Sequence, residues 1–238
     1  LLLEELRAVH NSNKPIFFID LPEDEVPRGK NRIALAARSF DGLLDNVQHY
    51  LEEESRLNIR REQQMVEQLG VKVGEVLEAN PELKSKDDVK VLISLGSVHT
   101  GVYRQLKDNG EKVEREFNSM PHMYSFSDEG VRSYMNDKPV SRELAARILL
   151  ETVFGDVFQP ELEKASEDNT KIDLFKRKVA SQFSLDEIGG IFHLLTYTDW
   201  NYFKGSFEGY MNYQMETKGL KMPKSEQELD EIVNAGRV

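Results

Sequence analysis

An α/β fold is what this sequence predicts: a mostly parallel sheet with flanking helices, followed by an all-helical C-terminal appendage. Three observations lead there. Short apolar runs rich in β-branched or aromatic residues, each bounded by turn formers, recur through the first half. Helical stretches separate them, which implies right-handed crossovers between parallel strands. After about residue 120 no further strand pattern is found. The predicted division is residues 1–118 as the α/β core and 119–238 as the helical part.

The elements follow in order. Leu1 to about His10 reads as the end of an amphipathic helix, closed by Asn11-Ser12-Asn13. The chain opens Leu1-Leu2-Leu3-Glu4-Glu5-Leu6, without Met or an N-cap, so an upstream half is expected to precede it. Pro15-Ile16-Phe17-Phe18-Ile19-Asp20-Leu21 suits a strand buried on both faces. Two helices are expected at about 40–57 and 59–79, the second broken at Asn80-Pro81. Val89 to Leu95 is a second strand ending at Gly96, and Thr100 is placed to cap a short helix stopped by Gly110. Val113 to Phe117 is a third strand. In the second half Ser141 starts a helix, and Ser184 with Glu187 and Ser225 with Glu228 form capping boxes. Ala165 to Thr170 is the nearest approach to a linker.

Composition excludes several classes of function. The 238 residues carry 31 Lys+Arg against 42 Asp+Glu, a formal charge of −11. Such a field repels polyanions, so no nucleic acid is expected as a partner. No apolar run approaches the ~20 residues of a membrane span. With a mean hydropathy of −0.54, the chain reads as soluble. A cytoplasmic location is the expectation, although a chain without cysteine suits reducing and oxidising surroundings alike. Zero cysteines removes disulfides, thiolate metal sites and cysteine nucleophiles together. No P-loop, dinucleotide-binding glycine motif, nucleophile elbow or His-Glu-x-x-His is present.

In an open parallel sheet, ligands bind beyond the carboxyl ends of the strands. That rule selects Asp20, with Glu23 and Asp24 behind it, and the turn Gly96-Ser97-Val98-His99. Gly96 would let the backbone approach a ligand, while His99 would lie over the sheet end beside a helix N-terminus. An imidazole and carboxylate oxygens there suit a divalent metal or a substrate. Helical spacing also puts Arg61 on a stripe with Met65, Leu69, Val73 and Val76, where its guanidinium could hold an anion bidentately. The competing readings are a His99 bonded within its turn and an Arg61 lying along the core edge with its head in water. His122 and His49 read as surface residues, and His193 as a core or boundary residue. Phe192, Tyr197, Trp200, Tyr202, Phe203, Phe207, Tyr210 and Tyr213 crowd one segment; Phe203, Phe207 and Tyr210 share a helical face, with Met211 beside it, read as the face that docks the appendage onto the α/β layer.

The run Ile59-Arg60-Arg61-Glu62-Gln63-Gln64-Met65 resembles an Arg-Asn-x-x-Met-Ala pattern. A strand carrying Gly-x-x-His follows it, and an Ile-Asp strand precedes it. In that order these motifs, over about residues 1–117, resemble the second half of the superfamily of TraB pheromone-shutdown proteins, Tiki metalloproteases, ChaN haem-binding lipoproteins and erythromycin esterase-like enzymes. The resemblance implies a hydrolase, peptidase- or esterase-like, with a divalent metal (manganese, cobalt, zinc or iron) in an α/β site. By position it implies His99 and Asp20 as metal ligands, and His99, Arg61 and Asp20 as the catalytic set. Glu62 stands where the pattern has asparagine, Val66 where it has alanine, and the first Gly-x-x-His is not in this sequence. The expected partner is a small-molecule or peptide substrate, with a homo-oligomer as a further expectation. The rival reading is a binding module, taking an anionic ligand or haem in the crevice, or a protein partner on the aromatic helices.

Overall fold

The computed structural model describes residues 15–21, 33–84, 89–96, 98–116, 125–193 and 199–235. Every regular element among them is a helix. This corrects the α/β expectation: the runs at 15–21, 89–95 and 113–116 lie in irregular backbone and pair into no sheet. The reason is that a strand is not a local object. Its backbone groups are satisfied only by a neighbouring strand, and its apolar faces only by covering layers. Neither is supplied among the described residues, where Phe18 and Leu92 stand 95% and 90% exposed. β-branched runs record a fit to a packed sheet rather than a backbone preference strong enough to make one. A helix closes its hydrogen bonds within its own segment, and so survives where the strands do not.

Phe40–Ala79 (α1) is one continuous helix where the sequence predicts two. Nothing at Leu57-Asn58-Ile59 breaks it, since neither proline nor glycine interrupts the backbone ladder there. The expected stop holds: α1 ends before Asn80, and Pro81–Lys84 (α2) begins on the proline. Thr100–Asp108 (α3) takes His99, not Thr100, as its N-cap, with no side-chain cap bond. At its far end Gly110 adopts φ 88° and donates its N–H to the Lys107 carbonyl at 3.0 Å, the left-handed stop that the sequence predicts.

The chain divides into two compact units, Leu1–Arg28 with Leu57–Glu116, and Gly29–Arg56 with Phe117–Val238. In the first, Leu21, Met65, Leu69 and Val102 form a small apolar interior. The second holds Phe126–Met135 (α4), Arg142–Ala165 (α5), Asn169–Ser181 (α6), Leu185–His193 (α7), Trp200–Thr217 (α8) and Glu226–Asn234 (α9). α5 is its axis, packed by α4, α6, α7 and α8, while α9 packs on α6. Accordingly α5 is buried on nearly every side, from Ala145 and Ile148 through Phe154 to Leu162. The segment read as a linker only joins α5 to α6, where the Asp168 carboxylate accepts the N–H groups of Thr170 and Lys171.

The capping boxes divide. Ser184 and Glu187 bond reciprocally, the Ser184 N–H donating to Glu187 Oε2 at 2.8 Å and the Glu187 N–H to Ser184 Oγ at 3.3 Å. At α9 the Glu228 N–H donates to Ser225 Oγ, but the Glu228 carboxylate reaches back one residue further, to the N–H of Lys224. The aromatic segment divides too. Phe192, Phe203 and Phe207 are buried, with Phe207 against Phe158 of α5 and Phe203 stacked on Phe192 of α7. Tyr202, Tyr210 and Tyr213 face outward. The face thus docks α8 on helices, not on a sheet layer; Tyr197 lies outside the described residues. Among the described residues no helix is long and apolar enough to cross a membrane.

Candidate functional site

The first unit gathers Asp20, Arg61 and His99, which lie up to 79 positions apart in sequence. α1 supplies the platform. In the first unit its buried positions are Asn58, Glu62, Met65 and Leu69, alternating four and three residues apart. Met65 and Leu69 lie on the stripe as expected, but its buried head is Glu62, with Arg61 at its edge. Arg61 Nε donates to Asp20 Oδ1 at 3.0 Å and its Nη2 donates to Oδ2, a two-point grip with matched planar geometry. Arg61 Nη1 also reaches Asn58 Oδ1 at 3.5 Å, and the Leu21 N–H donates to Asp20 Oδ1 at 2.7 Å. The guanidinium hydrogen bond holds the Asp20 carboxyl below its usual range, against a smaller opposing effect of burial.

Behind this ion pair, Glu62 Oε1 accepts the Gly101 N–H at 2.9 Å, in the first turn of α3. A helix N-terminus presents unpaired N–H groups and a positive dipole end, so a buried carboxylate is stabilised there. Gly101 is what lets it in: a Cβ at that position would lie 2.0 Å from Glu62 Oε2. His99 closes the group. Its N–H donates to the Gly96 carbonyl at 3.1 Å, which forms the turn, and its side chain is buried, the residue being 7% exposed. His99 Nδ1 lies 4.0 Å from Glu62 Oε1, beyond hydrogen-bond reach, and is buried with no hydrogen-bond partner. Burial first, and the Arg61 charge second, push the imidazole down to about 4, against the opposing pull of Asp20. At neutral pH it is uncharged.

The other expectations fall as follows. Gly96 holds the His99 turn from an exposed position. Val73 and Val76 are half-buried. His49 is solvated beside Glu53, as expected, whereas His193 is exposed rather than in the core. His122, Glu23 and Asp24 lie outside the described residues. Glu62 and Gly101 were not singled out as site residues from sequence; the four-three spacing of Asn58, Glu62, Met65 and Leu69 is the signal that finds the glutamate.

Two donors face one another here, His99 Nδ1 and Glu62 Oε1. Asp20 already accepts three hydrogen bonds, from Arg61 Nε, Arg61 Nη2 and the Leu21 N–H. Among the described residues no three of His, Cys, Asp and Glu gather as ligands for one ion. The residues present thus do not make a resident divalent-cation site with Asp20 in it. Compared with models of protein families, with curated proteins and with solved structures, the chain matches none.

Proposed function

We propose that the first unit carries a hydrolytic site, in keeping with the resemblance to TraB-, Tiki- and erythromycin esterase-like proteins, in which His99 moves protons and Arg61 steadies negative charge. One observation carries the reading. A neutral imidazole is buried with its Nδ1 unbonded, beside a carboxylate and next to a guanidinium. A buried polar atom without a partner is costly, on the order of 1–3 kcal/mol. It is tolerated where a ligand supplies the missing bond.

With the ring proton on Nε2, Nδ1 offers a lone pair to the proton of a substrate or water, and Glu62 lies where it would stabilise the imidazolium as it forms. Arg61 already has a carboxylate on it. A substrate anion or developing oxyanion would share the guanidinium with Asp20, which acts as its brace. Acyl transfer to water, on esters or peptides, is the reaction class that uses these groups.

The test compares wild type with His99→Ala on a panel of activated esters and peptides, with elemental analysis of both proteins. Loss of turnover by about a hundredfold or more with an unchanged fold supports the proposal. Full turnover in a destabilised His99→Ala protein would instead make His99 a structural turn residue. Near-stoichiometric manganese, cobalt, zinc or iron lost in the variant would make His99 a metal ligand.

The binding-module reading has less support at this site, because an anion held on Arg61 gives the unbonded His99 Nδ1 no part to play. On the aromatic helices the phenylalanines are buried inside the second unit, leaving a protein partner, among the described residues, Tyr202, Tyr210, Tyr213 and the half-buried Trp200.

A further inference from the structure

The second unit contains a cleft of about 530 Å³, within the usual size of small-ligand sites. One face of α5, with Glu151, Gly155 and Asp156, forms a wall. Asp128 of α4 and Asp173 and Lys176 of α6 complete the ring. Lys176 Nζ pairs with Asp173 at 2.7 Å and lies over Gly155, where an added Cβ would sit 3.4 Å from Lys176 Cδ. The cleft therefore already accommodates one ammonium group from the chain itself.

Glu151 is the group that lacks an explanation. It is 6% exposed, and its Oε2 accepts the N–H groups of Phe126 at 2.8 Å and Ser127 at 3.4 Å. Its Oε1 is buried with no hydrogen-bond partner. Helix capping accounts for one oxygen and leaves the other unused. Four carboxyl groups against one lysine around the cleft disfavour an anionic ligand. A single metal ion is also a poor fit, since among the described residues no three carboxylate or imidazole groups gather tightly enough to ligate one. The acids are spread instead. Glu151 and Asp156 border the same cleft about 7.5 Å apart along α5, at the helical rise of 1.5 Å per residue.

We propose that this cleft binds an organic diamine, one ammonium donating to Glu151 Oε1 and the other to Asp156 at the rim. Burial pushes the Glu151 carboxyl up to about 8, with Asp173 adding to the shift and Arg177 and the two backbone N–H groups opposing it. Asp128, Asp156 and Lys176 are the other charged groups around it. At neutral pH the carboxyl is mostly protonated. Binding the ammonium ionises it, and the proton leaves to the buffer.

Titration calorimetry of the full chain with the four-carbon diamine putrescine, in two buffers of different ionisation enthalpy near pH 7, tests this. Saturable binding with release of up to one proton is expected. Glu151→Gln should weaken it by at least about tenfold and abolish the proton release. Asp156→Asn, at an exposed position, should weaken it with the release retained; it decides the matter if Glu151→Gln does not fold. Butylamine, with one ammonium, should bind more weakly. No saturable binding, equal affinity in the variants, or equal binding of magnesium would overturn the proposal.

Discussion

Glu62 and Glu151 use one device. Each is a glutamate buried on a long helix, and each accepts N–H groups at the start of a shorter one. An orphan N–H at a helix start must be satisfied, and a carboxylate does so while meeting the positive end of the dipole. The carboxylate needs room, which at α3 comes from Gly101. Gly101→Ala puts a methyl group where Glu62 Oε2 stands, so the buried carboxylate must move and lose its bond. We expect a loss of roughly 2 kcal/mol or more, read by urea denaturation. A change below about 0.5 kcal/mol would show that Glu62 has other room.

At the scale of elements, α1, α4 and α5 meet in the second unit at Gly130. A Cβ there would lie 2.8 Å from Ile148 Cδ1 and 2.9 Å from both Leu51 methyl groups. These are buried atoms in a packed interior, unable to turn away as a surface lysine would. Gly130→Ala should therefore destabilise by about 1–3 kcal/mol, although alanine is the better helix former by about 1 kcal/mol. Thermal melting with Gly205→Ala as a control separates the effects. Nothing lies within 4 Å of that position on α8, and there the same change should stabilise.

For the whole molecule, the two buried acid–base groups predict a pH profile. His99 is pushed from 6.5 to about 4, so between those values the unfolded chain binds a proton that the folded chain refuses. Its effect is a loss of stability as pH falls through that window, about 3 kcal/mol in all. Glu151 is raised from 4.5 to about 8, so the folded chain holds a proton that the unfolded chain has released. That stability is present below pH 4.5 and disappears as pH rises to 8, up to about 5 kcal/mol. Between pH 4.5 and 6.5 the two slopes nearly cancel, and above 6.5 only the Glu151 decline remains. In denaturation across this range, His99→Gln should expose a decline beginning at pH 4.5. Glu151→Gln should leave a rise to 6.5 and then a plateau. Curves parallel to wild type in either variant would remove that group from the profile.

The sequence by itself determined what is made within a few residues. The stop at Asn80-Pro81, the glycine turn at Gly110, the Ser141 cap and the Ser184–Glu187 box all close with partners no more than four positions away. Asp20, Arg61 and His99 were also legible, because a strand-end acid, a helix-edge arginine and a turn histidine stand out as residue types. The reason for their meeting was not. Apolar runs that suggested a sheet found no partner strands, and a strand without pairing is not an element. Only the tertiary structure decided that Glu62 rather than Arg61 turns inward, and that the phenylalanines of α8 are buried while its tyrosines are not. It alone brought Glu151 to the start of α4. Each of these outcomes depends on groups dozens of residues apart, and short-range pattern carries no record of which distant surface a side chain will meet.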